Sequence, residues 1–235
     1  MTFWNLYKKE TGAYFNSPAA YVVMAAFLLT SGYLFAAPLF LANQASLSGF
    51  TGLAPLLLAF LAPAVTMRLF SEEFKTGTAE LLLSLPADEW EIILSKLAAA
   101  LTVFALTLAL TLVYPVVIIM LGGLDTGAAL CAYIGLMLCG MTLCSAGMLA
   151  SVLTKSQVTA FIAGFMMTLF LYLVGKFSVF MSPPLAALAD FAGIGAHLDN
   201  MSRGVVDSRD LVYFFSLSAF FLFLTRQKLK TMKMD

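Results

Sequence analysis

Charge is what this sequence has least of. Only 11% of its 235 residues are Asp, Glu, Lys or Arg, and 61% are hydrophobic, where an ordinary soluble domain carries roughly 25% charged residues. Residues 11–67 contain no charged side chain, and neither do residues 97–124. Such a chain cannot cover a water-soluble globule, so the class left is a membrane protein. The 13 basic and 13 acidic residues balance and form no sizeable basic patch, which argues against a nucleic-acid partner. A single histidine, His197, rules out the paired-histidine zinc motifs. The cysteines, Cys131, Cys139 and Cys144, share one apolar run, and the last two fall on different sides of a helix. They read as packing residues of a membrane segment, not as a disulfide or metal site. No nucleophile–base pair or ligand cluster lies in the apolar runs, which leaves intramembrane catalysis without groups. The first run has no Ala-x-Ala cleavage pattern, so no signal peptide is expected.

What is present is a series of apolar runs of about the 20 residues that cross a bilayer. They predict an all-α polytopic protein with six transmembrane helices, at about 18–40, 51–70, 96–119, 128–152, 158–175 and 209–226. Pro55 and Pro63 predict a bend in the second, with neighbouring helices taking up the freed carbonyls. Gly135, Gly140 and Gly147 in the fourth predict close helix approach. The sixth is awkward, because only 15 residues separate Asp210 from Arg226. Ahead of the spans, residues 2–15 place Trp4 and Tyr7 among Lys8 and Lys9, the mark of a helix lying in the interface and contacting lipid.

One polar stretch, residues 71–96, interrupts this pattern and reads as the surface offered to a soluble partner. An amphipathic helix is expected from Glu72 to Leu85, broken by Pro86, and then a second helix opened by Asp88, Glu89 and Glu91. Residues 177–210 form another irregular region, with a short amphipathic helix expected over 185–198. Its Asp199, Asp207 and Asp210 are expected to pair with Arg203 and Arg209, and His197 is expected to be solitary. With six spans, ten basic residues fall on the side of both termini and three on the other. The positive-inside rule makes the first side cytoplasmic.

The layout, with the stretch SEEFKTGTAELLLSLPADEWEIILSK, resembles the permease subunits of ABC-2 type transporters. That match is most similar to the branch that includes the gliding-motility-associated and nitrous-oxide-reductase-maturation permeases, and the segment His197 to Asp210, with Arg203, Gly204, Asp207 and Arg209, also resembles that before the last span of the gliding-motility-type members. The resemblance implies a single transmembrane domain over 1–235. It also implies a second permease chain, identical or related, and a separate ATP-binding subunit that holds the ATP and magnesium. A coupling helix contacting that subunit would comprise Glu72, Glu73, Gly77, Thr78, Glu80, Leu81, Leu82 and Leu83. The chain has no G-x-x-x-x-G-K-[ST] loop and is not itself expected to be an enzyme or to hold a cofactor. ATP-driven transport, with export as the direction, is thus the first expectation. A non-transporting scaffold or force-transmitting subunit in a secretion, envelope-assembly or motility complex is the second. The lack of a mid-membrane charge in the first five spans argues against an ion-coupled carrier.

Overall fold

The computed structural model describes residues 2–41, 46–79 and 88–234, and those residues are helical with short connections. The helices are α1 (Thr2–Phe15), α2 (Pro18–Leu41), α3 (Ser48–Thr66), α4 (Ser71–Thr76), α5 (Glu89–Leu110), α6 (Val113–Met120), α7 (Thr126–Val152), α8 (Gln157–Lys176), α9 (Pro183–Ala192), α10 (Ile194–Ser202) and α11 (Ser208–Met234). Among the described residues six helical stretches are long and apolar enough to cross a membrane: Pro18–Leu41, Gly49–Thr76, Glu89–Met120, Thr126–Val152, Gln157–Phe180 and Ser208–Lys233. The all-α, six-span reading therefore stands.

Helix α7 is the central post, packed on α3, α5, α8, α10 and α11. Its small residues let these neighbours come close. A methyl group added at Gly140 would sit 2.1 Å from the Phe104 ring of α5, and one at Gly147 would sit 2.1 Å from Thr66 Oγ1 of α3. Polar side chains stitch the apolar contacts: Thr142 Oγ1 of α7 lies 2.9 Å from Ser218 Oγ and 3.1 Å from the Phe214 carbonyl of α11.

Prolines break the helical ladder where a neighbour repairs it. Pro63 has no N–H to give the Ala59 carbonyl, and Thr168 Oγ1 of α8 donates to that oxygen at 2.7 Å. Pro115 likewise has no N–H for the Thr111 carbonyl, which accepts instead from the Tyr114 N–H and from Tyr133 O–H of α7, each at 2.9 Å. The third span accordingly divides into α5 and α6, with Thr111 and Leu112 as the joint.

Three boundaries differ from the sequence reading. The helix expected from Glu72 to Leu85 is interrupted after Thr76, because Gly77 adopts φ +74° and closes α4 with a left-handed cap; residues 80–85 of that expectation lie outside the described residues. The sixth span is not short: α11 runs 27 residues, past Arg226 to Met234. Its polar end is held by packing, with Leu229 buried and with Arg226 and Lys233 3.5 and 3.8 Å from Glu89. The Arg226 guanidinium also lies 5.2 Å over the Trp90 ring. The single helix expected over 185–198 is two, α9 and α10, parted at Gly193, which lies against Gly175 of α8.

Candidate functional site

Helix α5 carries Lys96 on a face made otherwise of Ile92, Ile93, Ala99, Ala100 and Val103, all buried. A lysine on such a face needs counter-charges inside the protein. The fold supplies two. Lys96 Nζ donates to Glu10 Oε1 of α1 and to Glu73 Oε1 of α4, each at 2.9 Å, and lies 5.1 Å over the Phe70 ring. Only 1% of the lysine side chain is exposed, against 12% and 14% for the two glutamates. Lys9, largely exposed, stands 4.0 and 3.9 Å from the same carboxylates. One buried ammonium thus joins the N-terminal helix, the polar segment and the foot of the third span.

Further bonds make that joint rigid. Tyr7 O–H and Thr102 Oγ1 meet at 2.9 Å and tie α1 to α5 a second time. Tyr14 O–H donates to the Val65 carbonyl at 2.7 Å; burial holds the Tyr14 phenol well above its ordinary pKa, which keeps it a neutral donor. Arg68 Nη1 donates to Ser17 Oγ at 2.8 Å. At the end of α7, Ser151 Oγ accepts from the N–H groups of Phe70 and Ser71 at 3.0 and 3.1 Å and donates to the Met67 carbonyl at 2.9 Å. A single hydroxyl so caps the start of α4 and joins it to the central helix.

The residues nominated from sequence divide. Glu73 faces inward onto Lys96, whereas Glu72, Lys75, Thr76, Gly77 and Thr78 are exposed. Thr76 Oγ1 and Thr78 Oγ1, 2.9 Å apart, brace the tip across Gly77. Glu80, Leu81, Leu82 and Leu83 lie outside the described residues. On α1, Trp4 stacks on Tyr7 with centroids 5.3 Å apart, and Lys8 sits 5.4 Å over the Trp4 ring.

The segment before the last span lies at the other end of the bundle. Gly204, at φ +84°, packs on Ala128 at the start of α7, some 23 residues or roughly 34 Å of helix from Ser151. Asp210 does not pair with Arg203 or Arg209, as the sequence suggested. Its Oδ1 lies 2.6 Å from Nδ1 of His197, whose Nε2 is 3.0 Å from the Phe191 carbonyl. The imidazole also stacks on Tyr213 at 4.0 Å. Burial explains the preference, since His197 and Asp210 are enclosed while Arg203 and Arg209 are exposed. Asp207 accepts from the Arg209 N–H at 2.9 Å and opens α11.

Glu10, Phe70, Lys96 and Ser151 were not singled out from sequence as site residues. For Lys96 the signal was available: an ionisable residue whose helical neighbours three and four positions away on either side, Ile92, Ile93, Ala99 and Ala100, are all apolar. Ser151 gave none, because its partners are backbone groups of a distant segment.

An all-helical bundle with six apolar spans among the described residues, and with a polar segment anchored by a buried ion triad at one end, defines a polytopic membrane protein. Residues 13–232 match the family described as ABC-2 family transporter protein, nearly the whole chain, and the chain belongs to that family. Comparison with curated proteins finds no match. As a member of the family the chain is a non-catalytic transport subunit.

Proposed function

We propose that this chain is the membrane permease of an ATP-driven exporter and that a separate ATP-binding subunit docks beneath α4. The observation that carries this is the division of labour in Glu72 to Thr78. Glu73 holds the segment to α1 and α5 through Lys96, while Glu72, Lys75 and Thr78 are free to meet a partner. A partner that moves by a few ångströms can drive the spans only through an element fixed at its base, and the triad and Ser151 supply that fixity. Acidic and basic groups at the tip set register and encounter rate more than raw affinity.

In this reading α4 is the coupling helix and α1 the interfacial helix, with both termini cytoplasmic in a bacterial inner membrane. ATP and magnesium reside on the partner, and a second permease chain, the same or related, completes the path. We place the chain in the gliding-motility and nitrous-oxide-reductase-maturation branch on the sequence of residues 197–210.

The test is co-purification of the chain with the ATP-binding protein encoded beside it, in nanodiscs, with ATP hydrolysis as the readout. Wild-type permease should change the hydrolysis rate, and the E72Q variant should weaken that effect while leaving the permease folded. A chain that purifies alone and leaves hydrolysis unaltered sinks the coupling reading. Coupling without cargo movement in vesicles points to a force-transmitting scaffold instead.

A further inference from the structure

The single histidine of the chain sits where three helices meet. His197 belongs to α10, and each of its ring nitrogens faces an oxygen on another helix. Nδ1 is 2.6 Å from Asp210 Oδ1 of α11, and Nε2 is 3.0 Å from the Phe191 carbonyl in the last turn of α9. A carbonyl and an ionised carboxylate only accept, while a neutral imidazole carries one N–H. Both contacts are hydrogen bonds only when the pair holds two protons, one on Nε2 and one between Nδ1 and Oδ1. Imidazole is the stronger base of the two, so the ring keeps that second proton and the pair is an imidazolium beside a carboxylate. Asp210 Oδ2 is buried without a hydrogen-bond partner among the described residues, and Arg203 and Arg209 are exposed, so the carboxylate is met by the ring.

The pair holds a cover in place. At the end of the bundle opposite the Lys96 joint, α9 packs on α8, and α10 packs on both α7 and α8. The hold on α9 is slight: it buries Ala189 and leaves Leu185, Leu188 and Phe191 exposed. The last carbonyls of a helix lack partners within it, and here two side chains meet them. His197 takes Phe191, and Tyr213 O–H of α11, its ring stacked on the imidazole, donates to the Ala192 carbonyl at 2.6 Å. A cation at the end of α9 also suits the helix dipole. The other ionisable groups on these elements stand apart. Asp190 of α9, Asp199 of α10 and Lys176 of α8 are exposed, although Lys176 Cε runs past Gly195. Asp207 accepts from the Arg209 N–H, and α7 brings the buried Cys139 thiol near Tyr213. Helix α3, which also touches α10, carries no ionisable side chain.

We propose that His197 and Asp210 form a proton-held latch: it ties α9 and α10 to the last span while the pair carries two protons, and it releases them as the pH on that side rises. When the ring gives up a proton, one nitrogen lone pair is left facing an acceptor, either the carboxylate or the carbonyl. An acceptor against an acceptor repels, and a buried oxygen loses its donor. The carboxylate is then also a buried charge without its counter-ion. The latch lies at the far end from α4, so it does not depend on whether an ATP-binding subunit docks there.

The experiment is nitrogen NMR of the full chain in nanodiscs, prepared without a histidine tag so that the one imidazole reports alone, together with amide exchange. At neutral pH both ring nitrogens should show the shift of a protonated nitrogen, and at alkaline pH one should lose it. Over the same change, protection of residues 183–202, corrected for intrinsic exchange, should fall roughly tenfold or more, the scale of one charge-assisted hydrogen bond. Protection of residues 140–152 should hold. In Asp210→Asn the side-chain amide donates to Nδ1 while Nε2–H still donates to Phe191, so a neutral ring is satisfied. That variant should stay closed at the alkaline pH that opens the wild type, whereas a residue that merely fills space would give no such rescue. One unprotonated ring nitrogen in the wild-type chain at neutral pH overturns the proposal, whatever the variant does. So does wild-type protection that ignores the loss of the proton, or a folded Asp210→Asn chain that opens with pH as the wild type does.

Discussion

The Lys96 ammonium lies 2.9 Å from Glu73 Oε1 and 2.9 Å from Glu10 Oε1, on a side chain that is 1% exposed. Removing one member of so buried a group leaves charge without compensation, which costs about 3–5 kcal/mol. Lys96→Met should therefore destabilise the protein strongly, because two carboxylates remain facing each other. The Glu10→Gln/Glu73→Gln/Lys96→Met triple variant, which removes all three charges, should recover much of the loss. Unfolding in a denaturing-detergent titration reads both. If Lys96→Met unfolds at the wild-type midpoint, the triad does not hold the joint.

Glu72 and Glu73 are adjacent in sequence and opposite in placement, so their neutral variants should fail differently. Glu72→Gln changes an exposed charge, for which stability effects are usually within about 0.5 kcal/mol. It should act on partner association, chiefly on its rate and salt dependence. Glu73→Gln should lower the unfolding midpoint and loosen α4, seen as faster amide exchange over residues 71–76. Identical behaviour of the two variants in stability and in association would contradict the inward and outward assignment.

Ser151 bridges two N–H groups and a carbonyl of the α3–α4 connection. In Ser151→Ala two buried backbone donors lose their acceptor, at about 1–3 kcal/mol each before relaxation. Ser145, also buried on α7, returns its hydroxyl to the Met141 carbonyl of its own helix. Ser145→Ala should accordingly be near neutral. The pair is compared by thermal unfolding in the same detergent, and equal losses would show that a buried α7 hydroxyl matters without regard to its partners.

The spans were legible because the bilayer imposes one coarse requirement, apolar length, which the charge-free runs 11–67 and 97–124 announce. Packing of α7 was legible through Gly140 and Gly147, and repair of Pro63 through the rule that freed carbonyls need donors, though not the identity of Thr168 as the donor. Gly77 was visible as punctuation, but its positive φ, and hence the end of α4, depends on the turn that follows. The triad was hidden because Glu10, Glu73 and Lys96 lie far apart in the chain and meet only once α1 folds onto α5. His197 seemed solitary for the same reason, since Asp210 reaches it only when α10 packs back against α11.

The sides assigned to the two ends rest on basic-residue counts and can be tested directly. Lys155, between α7 and α8, and Arg203, after α10, are both exposed and belong to opposite ends of the bundle. With the three native cysteines replaced by alanine, Lys155→Cys should resist a membrane-impermeant maleimide in intact cells and react after permeabilisation. Arg203→Cys should react in intact cells. The opposite pattern would invert the topology and put the Lys96 joint beyond reach of a cytoplasmic partner. Labelling of both sites from one side would break the six-span count.

Gly140 faces the ring of Phe104, and a β-carbon there would lie 2.1 Å from ring atoms that are themselves fully buried. The ring cannot swing away without displacing its neighbours, because interiors are close-packed. Gly140→Ala should therefore cost about 1–3 kcal/mol by overpacking. Phe104→Leu alone should also destabilise by leaving a void. Combined, the two changes compensate: the added methyl group occupies part of the space the ring vacates, so the double variant should be more stable than the sum of the single losses allows. A double-mutant cycle on unfolding midpoints reads the coupling. Strict additivity would mean that α5 and α7 do not meet at this point, and the close approach of the central helix to the third span would have to be abandoned.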